Sequence, residues 1–228
     1  MIRLGNAIAA PEALLGVVVA ETMLAATTTG LEAARATVLE RRRAAPTPTD
    51  ERVRQAVRDL LRRGRYKPTG RGKPASEYLL RTAQEGVFPS IHPAVDAANL
   101  VSLESLLPIS LWDLDRAHAA SYVFRAGRPG EAYVFNAGGQ TIDLEDLLIG
   151  CAVGADGSEV PCLSPVKDSL ATKTAGDTRR MAAVLYAPLA ERQRLEEATA
   201  MLHTLLAACT SDGNARSGRI EPGATAEI

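Results

Sequence analysis

The hydrophobic periodicity of the chain changes once, near Ala120, and this change constrains the fold more than any other feature. Before Ala120 the apolar residues recur mostly at helical spacing, as they do in Val53–Leu61. After Ala120, short runs rich in β-branched and aromatic residues alternate with turn residues. A block of helices followed by a block of strands and one closing helix predicts an α+β fold and not a series of β-α-β units.

Individual elements can be placed from the same patterns. The β-branched run Leu15–Ala20 predicts a buried strand ahead of the helices. Proline and glycine set the ends of helices predicted at residues 31–44, 50–63, 75–85 and 93–106. Strands are predicted at residues 121–126, 131–135, 140–142, 151–153, 159–163 and 181–188, with a helical turn at 143–148.

The length of 228 residues suits a single large domain, which we place at residues 1–210. Within it we expect a basic helical part at 30–86, a pocket-forming part at 87–190 and a closing helix at 189–209. Residues 211–228 lack apolar periodicity, so a disordered tail is expected there.

Several classes of protein are disfavoured by what the sequence lacks. The longest apolar run, Leu14–Ala20, is far shorter than the ~20 residues of a membrane helix, and no signal peptide is recognisable, so we expect a cytoplasmic protein. The three cysteines lack Cys-x-x-Cys spacing, which is typical of buried thiols in a reducing compartment. No paired histidines or glycine-rich nucleotide loop occur, and we therefore expect neither a metal nor a cofactor.

The net charge of −1 conceals one strongly basic block. Arg35–Arg81 holds 14 Lys and Arg against five Asp and Glu, and within it the loop Arg65–Lys73 mixes cations with glycine, proline and tyrosine. Arginine forms forked hydrogen bonds to phosphate, so a polyanion partner is one interpretation, and a solvated helical face is the other. The candidate RNA-binding residues are Arg62, Arg63, Arg65, Lys67, Arg71 and Lys73.

Two stretches are dense in polar side chains, residues 92–118 and residues 164–178. Their hydroxyls, amides and lysines near aspartate suit a phosphate or carboxylate ligand, yet no residue set identifies a nucleophile, so the catalytic residues stay unknown. The candidate pocket residues are Asn99, Ser110, Asp113, Asp115, Lys167, Asp168, Ser169, Thr172, Lys173 and Thr174.

The segment VDAANLVSLESLLPISLWDLDR carries a family resemblance. It resembles the B3/B4 domain of bacterial phenylalanyl-tRNA synthetase β subunits, in which a Val-Asp-x-x-Asn helix leads to a Pro-x-x-x-aromatic-Asp-x-Asp turn. The segments GGQTIDLEDLLIGC and SPVKDSLATKT are similar to later parts of the same module and of its free-standing relatives. The resemblance covers roughly residues 50–190.

The resemblance implies a mixed α/β domain with sandwich-like sheets flanked by helices. In the synthetase this domain hydrolyses tyrosine wrongly esterified to the phenylalanine tRNA. Asn99 matches the asparagine of the family motif, but Ala98, Ser110 and Val184 replace its threonine, histidine and glutamate. The implied pocket lies between the Asn99 helix, the Ser110–Asp115 turn and the Lys167–Thr174 loop.

Three functions are compatible with this sequence. The first is a free-standing tRNA-binding module that takes tRNA or aminoacyl-tRNA as its partner. The second is a trans-acting aminoacyl-tRNA deacylase or aminoacyl-transfer enzyme that uses the same pocket. The third is a small-molecule or protein-binding domain that binds no RNA.

Overall fold

The computed structural model describes residues 1–24 and 29–228. The helices are α1 (Thr29–Arg42), α2 (Pro48–Leu61), α3 (Ala75–Gln84), α4 (Pro93–Ser105), α5 (Leu114–Ala117) and α6 (Arg192–Ala207), with 3-10 turns at Gly70–Gly72, Leu170–Thr172 and Leu189–Glu191. The strands are β1 (Arg3–Asn6), β2 (Ala13–Ala20), β3 (Ile109–Asp113), β4 (Ser121–Ala126), β5 (Ala132–Val134), β6 (Thr141–Asp143), β7 (Leu148–Val153), β8 (Glu159–Leu163), β9 (Met181–Pro188), β10 (Ala215–Ile220) and β11 (Thr225–Glu227).

These strands form two main sheets. One has the order β11-β1-β4-β7-β8 and the other β10-β2-β9-β3, while β5 and β6 form a separate hairpin. Chain neighbours are often separated in the sheets: β2 pairs with β9 and β10, and β1 pairs in parallel with β4. The predicted α+β class is confirmed.

The burial pattern of β2 shows how the layers stack. Leu15, Val17 and Val19 belong to the apolar cluster that also contains side chains of the five-stranded sheet. Leu14 and Val18 point the other way, into the cluster formed with the helices. Because successive side chains of a strand face opposite sides, the four-stranded sheet is the middle layer between the helices and the second sheet. The predicted sandwich-like arrangement flanked by helices is confirmed.

The helix α6 lies directly on the middle sheet at Gly16. A Cβ atom at this position would come within 2.9 Å of Leu195 Cδ1 and closer still to the hydroxyl of Thr199. The glycine within this β-branched strand is therefore required by close packing, which is a common reason for glycine inside a strand.

Most predicted elements are confirmed, and three local predictions are wrong. Helix α2 begins at Pro48 and not at the predicted residue 50, because Thr47 is its N-cap and forms a reciprocal capping box with Asp50. The segment 143–148 ends in strand β7 instead of forming a helical turn.

The expected disordered tail is the third correction. Residues 215–220 form β10 against β2, and Thr225–Glu227 pairs with β1. Residues 211–228 therefore complete one edge of both sheets.

Candidate functional site

The loop between β8 and β9 is fastened to β3 by the carboxylate of Asp168. Its two oxygens accept backbone N–H groups, one from Leu111 and one from Ser164, each at 3.1 Å. Burial raises the pKa of this carboxyl to about 6, although the hydrogen bonds favour the charged form. Asp168 thus holds the loop in place.

Ser110, next to this attachment, is fully buried. Its hydroxyl donates to the carbonyl of Ser164 at 3.0 Å and lies 3.1 Å from the hydroxyl of Tyr186. It stands directly opposite Val184 in the β3–β9 pair, and Val184 is fully buried as well. This corrects the prediction that Ser110 lines an open pocket, because its hydroxyl is satisfied inside the protein beneath the loop.

The two aspartates after Trp112 have different surroundings. Asp113 caps α5: one carboxylate oxygen accepts the N–H groups of Asp115 and Arg116 at 2.9 Å, and the other accepts the hydroxyl of Thr178 at 2.6 Å. Asp115 is exposed and forms an ion pair with Arg180 at 2.9 Å. With the first oxygen Asp113 acts as an ordinary N-cap of α5. With the second it fastens the segment before β9 to the end of β3.

Asn99 lies partly buried on α4, one turn after Asp96. Asp96 accepts the Ser90 hydroxyl and the Ile91 N–H, each at 2.7 Å, so this side of α4 holds the loop that precedes it. Within residues 1–24 and 29–228, no hydrogen bond joins Asn99 to Ser110 or to the loop after β8. A ligand role for Asn99 stays a prediction.

The rest of the predicted pocket loop is divided between interior and surface. Ser169 is buried and caps the 3-10 turn, and Thr172 is buried with a hydroxyl that has no hydrogen-bond partner. Lys173 is exposed and Thr174 is partly buried. The loop is therefore mainly a packed part of the domain, with its lysines directed to solvent.

Most arginines of the basic block form ion pairs with acidic residues, some of them inside the block and some outside it. The arginines of α1 and α2 that form such pairs lie on exposed or partly exposed surface. The pairs are Arg41 and Arg42 with Glu104, Arg52 with Glu191, Arg54 and Arg58 with Glu77, Arg62 with Asp59, and Arg65 with Glu145.

Arg63 corrects one of the RNA-binding predictions. Its side chain points inward and is only 9% exposed as a residue, and its guanidinium donates to the backbone carbonyls of Ala9, Ala10 and Pro11. A guanidinium used in this way holds the segment between β1 and β2 and is not available to a phosphate.

Four lysines and arginines near the α2–α3 loop have no such partner. Lys67, Arg71 and Lys73 are exposed, Lys167 is partly exposed, and none forms an ion pair with any residue of the described chain. An exposed cation without an acidic partner can bind an external anion directly, whereas a paired cation must first give up its internal ion pair. These four residues are called the free cations below.

Three of the free cations line a cleft of about 710 Å³ beside α3, which we call the α3 cleft. Its walls carry five cationic side chains and one carboxylate, Glu77, which is itself paired with Arg58. Its charged and aromatic lining residues are Arg54, Arg71, Lys73, Glu77, Tyr78, Arg81 and Lys167.

A second cleft of about 810 Å³ lies against the β5–β6 hairpin, and we call it the hairpin cleft. Arg71 and Lys167 line both clefts, so the two meet at these side chains. Tyr66 and Phe135 contribute aromatic surface to the hairpin cleft, and Asp143 contributes its one carboxylate.

Lys167 is held precisely at this junction. Its carbonyl accepts the Tyr133 hydroxyl at 2.6 Å and the Ser164 hydroxyl at 2.8 Å. Its ammonium lies 4.1 Å from the centre of the Phe135 ring, a cation–π contact. The backbone of this lysine is therefore fixed while its charge faces the clefts.

The sequence predictions assigned Lys167 to one site and Arg71 and Lys73 to another, whereas the fold brings all three to one cleft. Sequence reasoning did not identify Tyr78 as a candidate site residue. The one indication in the sequence was that Tyr78 lies outside the apolar stripe of α3, which predicts an exposed ring. Arg81 belonged to the basic block but was not singled out.

In the described part of the chain, no helix is long and apolar enough to cross a membrane. Over the same residues, His, Cys, Asp and Glu side chains nowhere gather in a group of three that could hold a metal ion. The three cysteines are free and buried, as predicted.

The family follows from comparison with known domains. The family model described as the B3/4 domain matches residues 67–204, which is more than half of the chain. The chain belongs to the B3/4 domain family, and the family resemblance is confirmed.

No curated protein matches the sequence. Among solved structures, the chain is similar to an N-terminal fragment of the phenylalanyl-tRNA synthetase β-subunit from Pyrococcus horikoshii, at 14% identity and a TM-score of 0.41. That similarity covers 51% of this chain and 39% of the fragment, so the chain spans about two-fifths of the solved fragment.

Proposed function

We propose that this B3/4 domain is a tRNA-binding module and that its free cations contact the phosphates of the RNA. One observation carries the proposal: Arg71, Lys73 and Lys167 line two adjoining clefts and form no ion pair with any described residue. Most other cations of the basic block have acidic partners. If the basic block were only a solvated surface, we would not expect unpaired cations to be grouped at the clefts.

The arrangement suits a polyanion in particular. Arg71 and Lys167 line both clefts, and Lys73 lies on the wall of the α3 cleft, so several cations face one continuous surface on which more than one phosphate of a strand could be bound. Each neutralised phosphate releases condensed counterions, which is the main source of affinity in such complexes.

The choice of tRNA among RNAs rests on the family. The motif in residues 95–116 resembles the module of phenylalanyl-tRNA synthetase, and the chain belongs to the B3/4 domain family. We leave ester hydrolysis and aminoacyl transfer out of the proposal, because Ser110 and Val184 carry no acid or base and are fully buried.

Binding of tRNA at several salt concentrations tests the proposal. The double variant Arg71→Glu and Lys73→Glu is expected to weaken binding by roughly 10- to 100-fold near 0.1 M salt and to lower the salt dependence by about two phosphate contacts. The matched control is Arg41→Glu with Arg43→Glu, which changes the net charge equally on exposed, ion-paired arginines at the C-terminal end of α1 and directly after it.

The control is expected to retain most of the affinity. Equal losses in the two double variants would show that only net charge matters and would contradict a site at the clefts. Absence of tRNA binding at low salt would refute the proposed function itself.

A further inference from the structure

Tyr78 differs from every other tyrosine of the chain. The side chains of Tyr66, Tyr122, Tyr133 and Tyr186 are buried or partly buried and hydrogen-bonded through their hydroxyls to other groups of the protein. Tyr78 is 56% exposed, and its hydroxyl forms no hydrogen bond with any described residue. Its ring is thus an apolar and aromatic surface facing the α3 cleft.

The charges around this ring restrict what can cover it. The Arg81 guanidinium lies 5.4 Å from the ring centre, and Arg71, Lys73 and Lys167 line the same cleft. Arg81 also contacts Glu85 at 3.9 Å, but a neutral apolar partner would cover Arg71, Lys73 and Lys167 without supplying them a counter-charge, which is unfavourable. The occupant must therefore offer a flat surface and negative charge together.

A second aromatic ring continues the pattern beyond the junction. Phe135 lies in the hairpin cleft with the Lys167 ammonium over its face. Along the two clefts the order is aromatic, cationic, aromatic. Proteins that bind single-stranded nucleic acid use this combination, since bases stack on aromatic rings and the phosphates between them meet cations.

We propose that the α3 cleft binds a single-stranded segment of nucleic acid, with one base stacked on Tyr78 and the neighbouring phosphates at Arg71, Lys73 and Lys167. This inference rests on the proposed function and specifies which part of an RNA would occupy the clefts. A duplex does not suit the site, because its bases are stacked on one another and their faces are closed to Tyr78. An acidic peptide, which offers charge without a base, is the competing occupant that the test must separate.

The experiment measures binding of a fluorescent adenosine oligoribonucleotide of about eight nucleotides, within the usual ~4–16 nucleotides of single-strand sites. An RNA hairpin with an equal number of phosphates and a glutamate peptide of equal charge are measured beside it. The proteins are the unmodified full chain, Tyr78→Ala, Tyr78→Phe, and Arg71→Glu with Lys73→Glu. Because Tyr78 is exposed, its replacement is not expected to disturb folding, and thermal unfolding of each variant verifies this.

Tyr78→Ala is expected to weaken single-strand binding about tenfold while leaving its salt dependence unchanged, because stacking involves no counterion release. Tyr78→Phe should bind almost as tightly as the unmodified chain, since it retains the ring. The double charge variant should lower the salt dependence for every polyanion.

Two results would overturn the inference while the proposed function stands: equal binding of Tyr78→Ala and the unmodified chain to the single strand, or a hairpin bound as tightly as the single strand. A glutamate peptide bound as tightly as the oligonucleotide, and lost equally in Tyr78→Ala, would assign the cleft to acidic peptide. If neither the oligonucleotide nor tRNA binds at low salt, both proposals fail.

Discussion

The carboxylate of Glu77 beneath the α3 cleft offers a sharp test of how this surface is built. The Glu77 side chain is 5% exposed and accepts two hydrogen bonds from Arg58, each 2.5 Å long. A third contact, at 3.4 Å, comes from Arg54, which lines the cleft. Glu77→Gln keeps the shape of the side chain but removes the charge that compensates Arg58 and contributes to compensating Arg54, which also pairs with Glu51.

The expected loss of stability follows from the exposure of the partners. Removing one member of a fully buried ion pair costs about 3–5 kcal/mol, because a charge is left without compensation. Here the Arg58 and Arg54 side chains keep 29% and 22% exposure, so water solvates part of each guanidinium. We therefore expect Glu77→Gln to lower the free energy of unfolding by about 2–3 kcal/mol.

The control is Glu51→Gln, which removes the same charge from another carboxylate bound to Arg54. Glu51 pairs with Arg54 at 2.6 Å, but its side chain is 57% exposed. An exposed pair within one helix contributes about 0.5 kcal/mol or less. Urea unfolding of both variants at pH 7 measures the difference, and equal midpoints for the two would refute the argument that the Glu77 pair stabilises the packing of α3 on α2.

Glu77→Gln also has an expected effect on binding. It adds one positive charge at the cleft, so tRNA should bind more tightly at low salt and with a steeper salt dependence than in the unmodified chain. Glu51→Gln adds the same charge further into solvent, where screening weakens it. An unchanged affinity for Glu77→Gln in a protein that binds tRNA would place the RNA away from this cleft.

Two further predictions concern groups that fasten segments of the chain. Arg63→Met should lower the free energy of unfolding by about 2–3 kcal/mol, because the carbonyls of Ala9, Ala10 and Pro11 lose their charged donor, and a urea midpoint equal to that of the unmodified chain would contradict this. Asp168→Ala should make the free energy of unfolding depend less on pH. The pKa of Asp168 in the folded protein, about 6, lies above its ordinary value of 3.8. This carboxyl therefore stabilises the folded state below about pH 4, and the contribution is lost as the pH rises through about 6. Unfolding free energies of both proteins between pH 4 and 7 should therefore converge or cross as pH rises, and a difference that grows with pH would refute the reasoning.

The elements with strong apolar patterns could be predicted from the sequence, and those that depend on distant partners could not. Strands β4, β8 and β9 were placed to the residue because their own side chains alternate or are uniformly apolar. Strand β10, with the sequence ARSGRI, is mostly polar, and it forms because its backbone completes the edge of β2. Nothing within such a segment shows that an edge is available 200 residues earlier.

The basic block shows the same limit for electrostatics. Some of its arginines pair with Asp59 and Glu77 inside the block, but others pair with Glu104, Glu145 and Glu191, which lie outside it in the sequence. Only the fold distinguishes a paired arginine such as Arg65 from an unpaired one such as Arg71. The candidate interface therefore shrinks from the whole block to a few side chains.

Ser110 and Val184 are the positions that the predicted alignment matches to the histidine and glutamate of the family motif, and that match stays a prediction. Ser110 and Val184 are far apart in sequence and stand directly opposite each other on β3 and β9. In this chain that place is closed, because Ser110 is bonded to Ser164 and Asp168 fastens the same loop to β3. Lys167, the residue before Asp168, has its carbonyl fixed by the loop and its ammonium at the junction of the clefts. The hydrogen bonds of Ser110 and Asp168 thus close the space beneath the loop after β8, and the same loop fixes the position of the Lys167 charge at the surface. We therefore expect RNA to bind on the outer side of this loop.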